Sequence, residues 1–96
     1  MNLNSVLKSK RPDIIRITSA HGAKNVRVFG SVARGQQRRG SDLDLLVQLE
    51  SGHSLLDLIA IKQDLEDLLG CRVDVVTEAA LSPYIREQVL REATTL

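Results

Sequence analysis

Three short runs dense in valine and leucine, Val26-Arg27-Val28-Phe29, Leu43-Asp44-Leu45-Leu46-Val47 and Arg72-Val73-Asp74-Val75-Val76, alternate with stretches of helical periodicity. Strands spaced by helices confine the chain to an α/β or α+β architecture rather than a bundle or a sandwich. The pattern predicts strands over about 25–29, 43–49 and 72–77. Residues 2–11 form a helical segment, and Pro12 opens a second helix reaching His21, since a first turn leaves its N–H groups unpaired anyway. Ile14, Ile15 and Ile17 give that helix an apolar side, and Gly22 stops it. Ser54 caps a helix that runs to Leu69, with Asp57 completing a capping box. Leu55, Leu58, Ile59, Leu65, Leu68 and Leu69 form its inner face, and Lys62 and Glu66 pair on its outer side. Ser82-Pro83 opens a last helix with Ile85, Val89 and Leu90 inward and Tyr84 packed at its start. The expected fold is a small three-stranded sheet with helices mainly on one face. The other face stays free for chemistry.

That free face carries acids. Residues i and i+2 of a strand point the same way, so Asp42 and Asp44 share a face. Carboxylates held so close repel each other unless a cation lies between them. Oxygen ligands suit a hard ion such as Mg²⁺, which commonly joins one or two carboxylates to substrate phosphates. Upstream, the first strand delivers the chain into Gly30-Ser31-Val32-Ala33-Arg34-Gly35. Gly30 lacks a Cβ, so backbone can approach a ligand closely. A short helix over 31–34 would aim unpaired amides at an anion, unless Ser31 serves only as its cap. The constellation reads as a nucleoside triphosphate with magnesium. Arg34 either reaches the phosphates or pairs with one of the acids, and Arg38 and Arg39 lie in a polar loop over 36–40. His21 and His53 stand apart with no Cys/His cluster, so neither reads as a zinc ligand.

Gly30, Ser31, Ala33, Arg34 and Gly35, followed by Ser41, Asp42 and Asp44, resemble the signature of the DNA-polymerase-β-like nucleotidyltransferase superfamily. Within it, the nearest resemblance is to the minimal nucleotidyltransferases, the small antitoxin partners of HEPN-domain toxins. The superfamily also carries a third acid on a later strand, a position that Asp74 fills. At motif level the resemblance spans residues 26–77. It implies a palm-like core with a mixed sheet, and ATP as substrate. It further implies Gly30 and Ser31 on the β- and γ-phosphates, Asp42 and Asp44 on Mg²⁺, and Asp74 on a second Mg²⁺ or acting as base. The reaction it implies is AMP transfer to a tyrosine of the HEPN toxin, a ribonuclease, which is thereby silenced.

Composition sets the limits of this reading. A chain of 96 residues suits one domain, 1–96, with a modest core. No apolar run approaches the roughly 18 residues of a membrane span, and no signal-type segment opens the chain, so a cytoplasmic protein is expected. Cys71 is the one cysteine; it excludes an internal disulfide and reads as a buried structural thiol. The net charge of +1 hides an asymmetry: residues 1–41 hold nine Lys and Arg against Asp13, and residues 42–96 hold four against eleven acids. That split suits a triphosphate bridged to a metal. Aromatic content of 2% leaves almost no stacking platform, which argues against direct nucleic-acid binding.

Little sequence remains beyond the core to hold an acceptor, so the acceptor is expected to arrive on another protein. Two hypotheses follow: an enzyme that AMPylates its partner toxin, or a binding module that neutralises the toxin by occlusion with a vestigial nucleotide site. Asp42, Asp44 and Asp74 favour the first, because a pure binder has no use for carboxylates that repel without metal. A small-molecule nucleotidyltransferase completed by a partner subunit is a third reading.

Overall fold

The strand β2 (Leu43–Leu49) is the hub of the sheet, antiparallel to β1 (Ala23–Phe29) on one side and parallel to β3 (Val73–Thr77) on the other. The computed structural model describes residues 3–35 and 42–96, so Ser41, Arg38 and Arg39 with their loop lie outside the described residues. A fourth strand, β4 (Thr94–Thr95), pairs antiparallel with β1 at Arg27 and Val28, giving the order β3-β2-β1-β4. The sheet is therefore mixed, as the resemblance implies, but it has four strands rather than three. A strand of two residues carries no alternation to read, and it forms only because the edge of β1 is there to pair with.

Alternation along β2 divides the molecule into two faces. Leu43, Leu45 and Val47 are fully buried on one face, where they meet Leu7 and Ile14 of α1 (Leu3–Ala20) and Ile61 and Leu65 of α3 (Leu55–Leu69). Leu46 points the other way and packs with Leu81, with Val89 of α4 (Pro83–Glu92), and with Phe29, Val76 and Ala93. The second face is thus not wholly free. α4 and the 3-10 turn Glu78–Ala80 roof part of it, and the end near Asp44 stays accessible.

Several expectations are corrected. The N-terminal segment and the helix after Pro12 are one helix, α1, with Pro12 inside it. Pro12 and Lys8 both face solvent, so the carbonyl that loses its N–H partner lies where water can replace it. Ile14 and Leu7 reach the core, and the buried Thr18 hydroxyl is satisfied by the carbonyls of Ile14 and Ile15, each at 3.0 Å. In α3 the core stripe runs through Ile61 and Leu65, with Leu58 and Leu68 beside it. Leu55 sits a turn ahead of that stripe and Ile59 lies to one side of it, and both are exposed. In α4 only Val89 is buried; Ile85 and Leu90 are exposed, and Tyr84 is 95% exposed rather than packed. Among the described residues, no helix is long and apolar enough to cross a membrane.

Caps fix the ends of α3 as expected. Ser54 Oγ accepts from the Leu56 N–H at 3.3 Å, Asp57 accepts from the Ser54 N–H at 2.9 Å, and Gly70 ends the helix at φ 70°. The histidines do not stand apart. His53 Nδ1 lies 3.2 Å and His21 Nδ1 3.7 Å from the Asp57 carboxylate, while His21 Nε2 lies 3.3 Å from Asp64. The Ser54 N–H and the adjacent His53 hold the Asp57 carboxyl below its ordinary range. Opposite nitrogens of His21 address the two acids, so the cluster offers no common metal position. Replacing the cap, Ser54→Ala, should cost about 1 kcal/mol, and a thermal melt should show a midpoint lower by roughly 4–8 °C.

Candidate active site

The site lies where β1 ends and β2 and β3 begin. Parallel pairing sets Asp44 of β2 in register with Asp74 of β3, so their side chains rise from the same face of neighbouring strands. Antiparallel pairing sets Asp44 opposite Phe29, the residue before Gly30. Asp42 precedes β2 and shares the side of Asp44 by strand periodicity. Asp42, Asp44, Asp74, Gly30 and Ser31 are therefore gathered at one end of the sheet.

Gly30 holds φ 76°, in the left-handed region, and a Cβ placed there would overlap Asp44 Oδ2. Only glycine lets the chain turn while keeping its backbone against that carboxylate. The turn continues as α2 (Gly30–Ala33), one helical turn closed by Arg34 N–H to Gly30 O and Gly35 N–H to Val32 O, each at 3.1 Å. Val32 anchors it in the core at 2% exposure. The N-cap of α2 is Phe29, so Ser31 is not a cap and its hydroxyl is not used in that way.

Burial is the main cause that raises the Asp44 carboxyl above its ordinary value, followed by the charges of Asp74 and Asp42, with Arg34 opposing. Asp42 Oδ1 is shielded from solvent and accepts no hydrogen bond among the described residues. Arg72 Nε comes within 3.2 Å of that oxygen but is not aligned to bond it, so the contact is Coulombic only. Both features fit a cation at this place: it would give the orphaned oxygen a partner and offset the repulsion that loads Asp44. Among the described residues, no three His, Cys, Asp or Glu side chains already converge as a metal cage. Magnesium needs none when substrate phosphates complete its shell.

Arg34 pairs with an acid that no short-range pattern singles out, Glu92. Its Nη1 lies 3.0 and 3.2 Å from the two carboxylate oxygens of Glu92, at the end of α4. Another unforeseen support is the tie between α3 and β3. Glu66 Oε2 accepts from Lys62 Nζ at 2.8 Å and from the Val73 N–H at 3.1 Å, while Lys62 also donates to the Val73 carbonyl at 2.9 Å. The i,i+4 spacing of Lys62 and Glu66 was visible in sequence; their grip on the residue before Asp74 was not. Cys71 is half-buried against the core, and burial pushes its thiol up, which suits a structural role.

A sheet end that sets acids against a tight glycine turn is the layout of an enzyme that transfers phosphate-bearing groups. The chain matches the nucleotidyltransferase domain family over residues 7–96. It is 42% identical over 93 residues to MJ0435 of Methanocaldococcus jannaschii, provisionally named a protein adenylyltransferase, the match covering 97% of this chain and 96% of that one. A solved structure described as a minimal nucleotidyltransferase superposes with a TM-score of 0.87 at 54% identity, covering 100% of this chain and 97% of that one. One chain of a solved MntA toxin–antitoxin complex superposes with a TM-score of 0.66 at 25% identity, covering 100% of this chain and 72% of that one. The protein belongs to the nucleotidyltransferase family and is an adenylyl-transferring enzyme.

Asp44→Asn should raise stability at neutral pH. The folded-state value of Asp44 is raised, so its contribution is intact below the ordinary 3.8 and is lost as pH rises through the folded value. Paired urea melts should show the variant more stable near neutrality and the difference closing below pH 3.8. Gly30→Ala should do the opposite. The left-handed backbone and the overlap with Asp44 should cost about 1–3 kcal/mol, read in the same melts.

Proposed function

We propose that this protein is a magnesium-dependent adenylyltransferase antitoxin that transfers AMP from ATP to a tyrosine hydroxyl of a partner HEPN-domain ribonuclease, silencing it. The observation that carries the reading is the in-register pairing of Asp44 with Asp74, beside a Gly30 turn that leaves no room for a side chain. The relative named a protein adenylyltransferase supports a protein acceptor, and the MntA toxin–antitoxin complex supports a toxin as that protein.

In this reading the Gly30 amide and Ser31 bind the β- and γ-phosphates, and Arg34 adds positive charge beside them. Asp42 and Asp44 hold one Mg²⁺, and Asp74 joins them in holding a second. When bound, magnesium neutralises phosphate charge and lowers the pKa of the attacking hydroxyl. The tyrosine oxygen forms a bond to the α-phosphorus as the bond from that phosphorus to the bridging oxygen breaks. Pyrophosphate leaves with the electron pair. The hydroxyl proton passes to Asp74, which is exposed where Asp42 and Asp44 are half-buried. The protein's share is positioning and electrostatic stabilisation rather than covalent chemistry. In-line attack brings the hydroxyl within about 3–3.5 Å of phosphorus, so the acceptor must enter through the accessible end of the acid face.

The test is incubation of the protein with its HEPN partner, ATP and Mg²⁺, followed by mass analysis of both chains. The partner should gain AMP on tyrosine, and chelator should abolish both the transfer and ATP binding in calorimetry. Asp42→Asn combined with Asp44→Asn should leave melting unchanged or slightly higher and reduce transfer at least about 100-fold. Toxin neutralisation that survives this double variant undiminished would favour occlusion over catalysis.

A further inference from the structure

Arg34 is the one guanidinium attached directly to the Gly30 turn, and a carboxylate on a different element holds it. Glu92 ends α4, on the roofed face of the sheet, and presents both oxygens to Arg34 Nη1 at 3.0 and 3.2 Å. Gln88, one turn earlier on α4, donates to Glu92 Oε1 at 3.3 Å and so helps orient the carboxylate. Held there, the Arg34 charge still reaches Asp44, where it counters the burial and the like charges that load that acid.

Stability does not explain the contact. Arg34 is 42% exposed and Glu92 21% exposed at the side chain, and ion pairs so open to water contribute little to folding. Geometry explains it better. An arginine side chain has several free torsions, and α2, which delivers Arg34, is a single turn. A carboxylate that meets Arg34 from α4 helps to fix where the guanidinium plane lies relative to the turn, while leaving part of it open to solvent.

We infer that Glu92 is a positioning residue for the nucleotide site: it holds Arg34 in place for the triphosphate and acts on ATP only through Arg34. This rests on the reading of the Gly30 turn as the phosphate site. It also makes α4, whose Tyr84 and Ile85 are exposed, an element through which a docked protein could shift ATP affinity.

The test is a double-variant cycle read by calorimetric titration of ATP in the presence of Mg²⁺. Glu92→Ala should weaken ATP binding about tenfold in the wild-type background and leave it unchanged in an Arg34→Ala background, because coupled residues are not additive. Its thermal midpoint should stay close to that of the wild type. Glu92→Gln, carried through the same cycle, guards against a folding failure of the alanine variant and should give a smaller loss with the same dependence on Arg34. Equal losses in both backgrounds would make Glu92 a general support of α4 and overturn the inference, as would unchanged affinity in the wild-type background. Failure of the wild-type protein to bind ATP at all would instead overturn the phosphate reading, and this inference with it.

Discussion

Repulsion between Asp44 and Asp74 is the constraint around which this small fold is arranged. Parallel pairing of β2 with β3 sets the two residues in register, and neighbouring strands lie only about 4.8 Å apart. Asp42 adds a third negative charge at the same end of the sheet. In a chain of modest core, such a concentration must be held by structure elsewhere. It is held from behind. Leu43, Leu45 and Val73, each next to an acid in sequence, are completely buried against α1 and α3, and Val75 is partly buried beside them. Lys62 and Glu66 pin the Val73 backbone from α3. The buried alternate residues thus fix the exposed ones, and the acids cannot relax apart without pulling leucine and valine from the core.

The division of labour between the two faces follows from the same alternation. The face under α1 and α3 carries most of the buried apolar residues, while the cluster under α4 is small, built on Leu46, Leu81 and Val89. α4 is therefore attached by few apolar contacts and by polar ones: Glu92 to Arg34, and Arg86 to the carbonyl of Glu78, which Arg27 of β1 holds in turn. Weakly buried elements open at lower free energy than the core. It is this element that reaches the Gly30 turn with a charged side chain, through Glu92 and Arg34.

Most of the fold was legible because its elements carry their own punctuation. The strands β2 and β3, the Ser54 cap, the Gly70 stop and the Ser82-Pro83 start all stand where local chemistry puts them. What failed depends on tertiary context. Pro12 looks like a helix start until one sees that its side of α1 faces water. Leu55, Ile59, Ile85 and Leu90 satisfy helical spacing, yet the sheet is too small to receive them all. β4 exists only through its pairing with β1. Of the site, the carboxylates and the glycine turn were legible from strand periodicity, which requires nothing beyond a few consecutive residues. Glu92 and Arg72 were not, since each meets its partner across a separation that no short-range pattern encodes.

The single turn of α2 bears on how the phosphate end of the proposed site would work. Four residues align too few peptide dipoles for a helix terminus to hold a triphosphate alone. The negative charge that a nucleotide brings would also meet Asp42, Asp44 and Asp74 at close range. Positive charge must therefore come from side chains and cations at the site. Arg34 supplies one such charge from the turn itself, and Arg72 stands beside Asp42 at 3.2 Å. Neither is enclosed: Arg72 is 77% exposed and Arg34 42%. Charges so well hydrated act weakly at a distance, so these two arginines offset only part of the charge of three carboxylates and a triphosphate. A divalent ion seated between the acids changes that balance, because it attracts both partners that otherwise repel. In the proposed function, a metal in the complex is what reconciles the anionic character of the site with an anionic substrate.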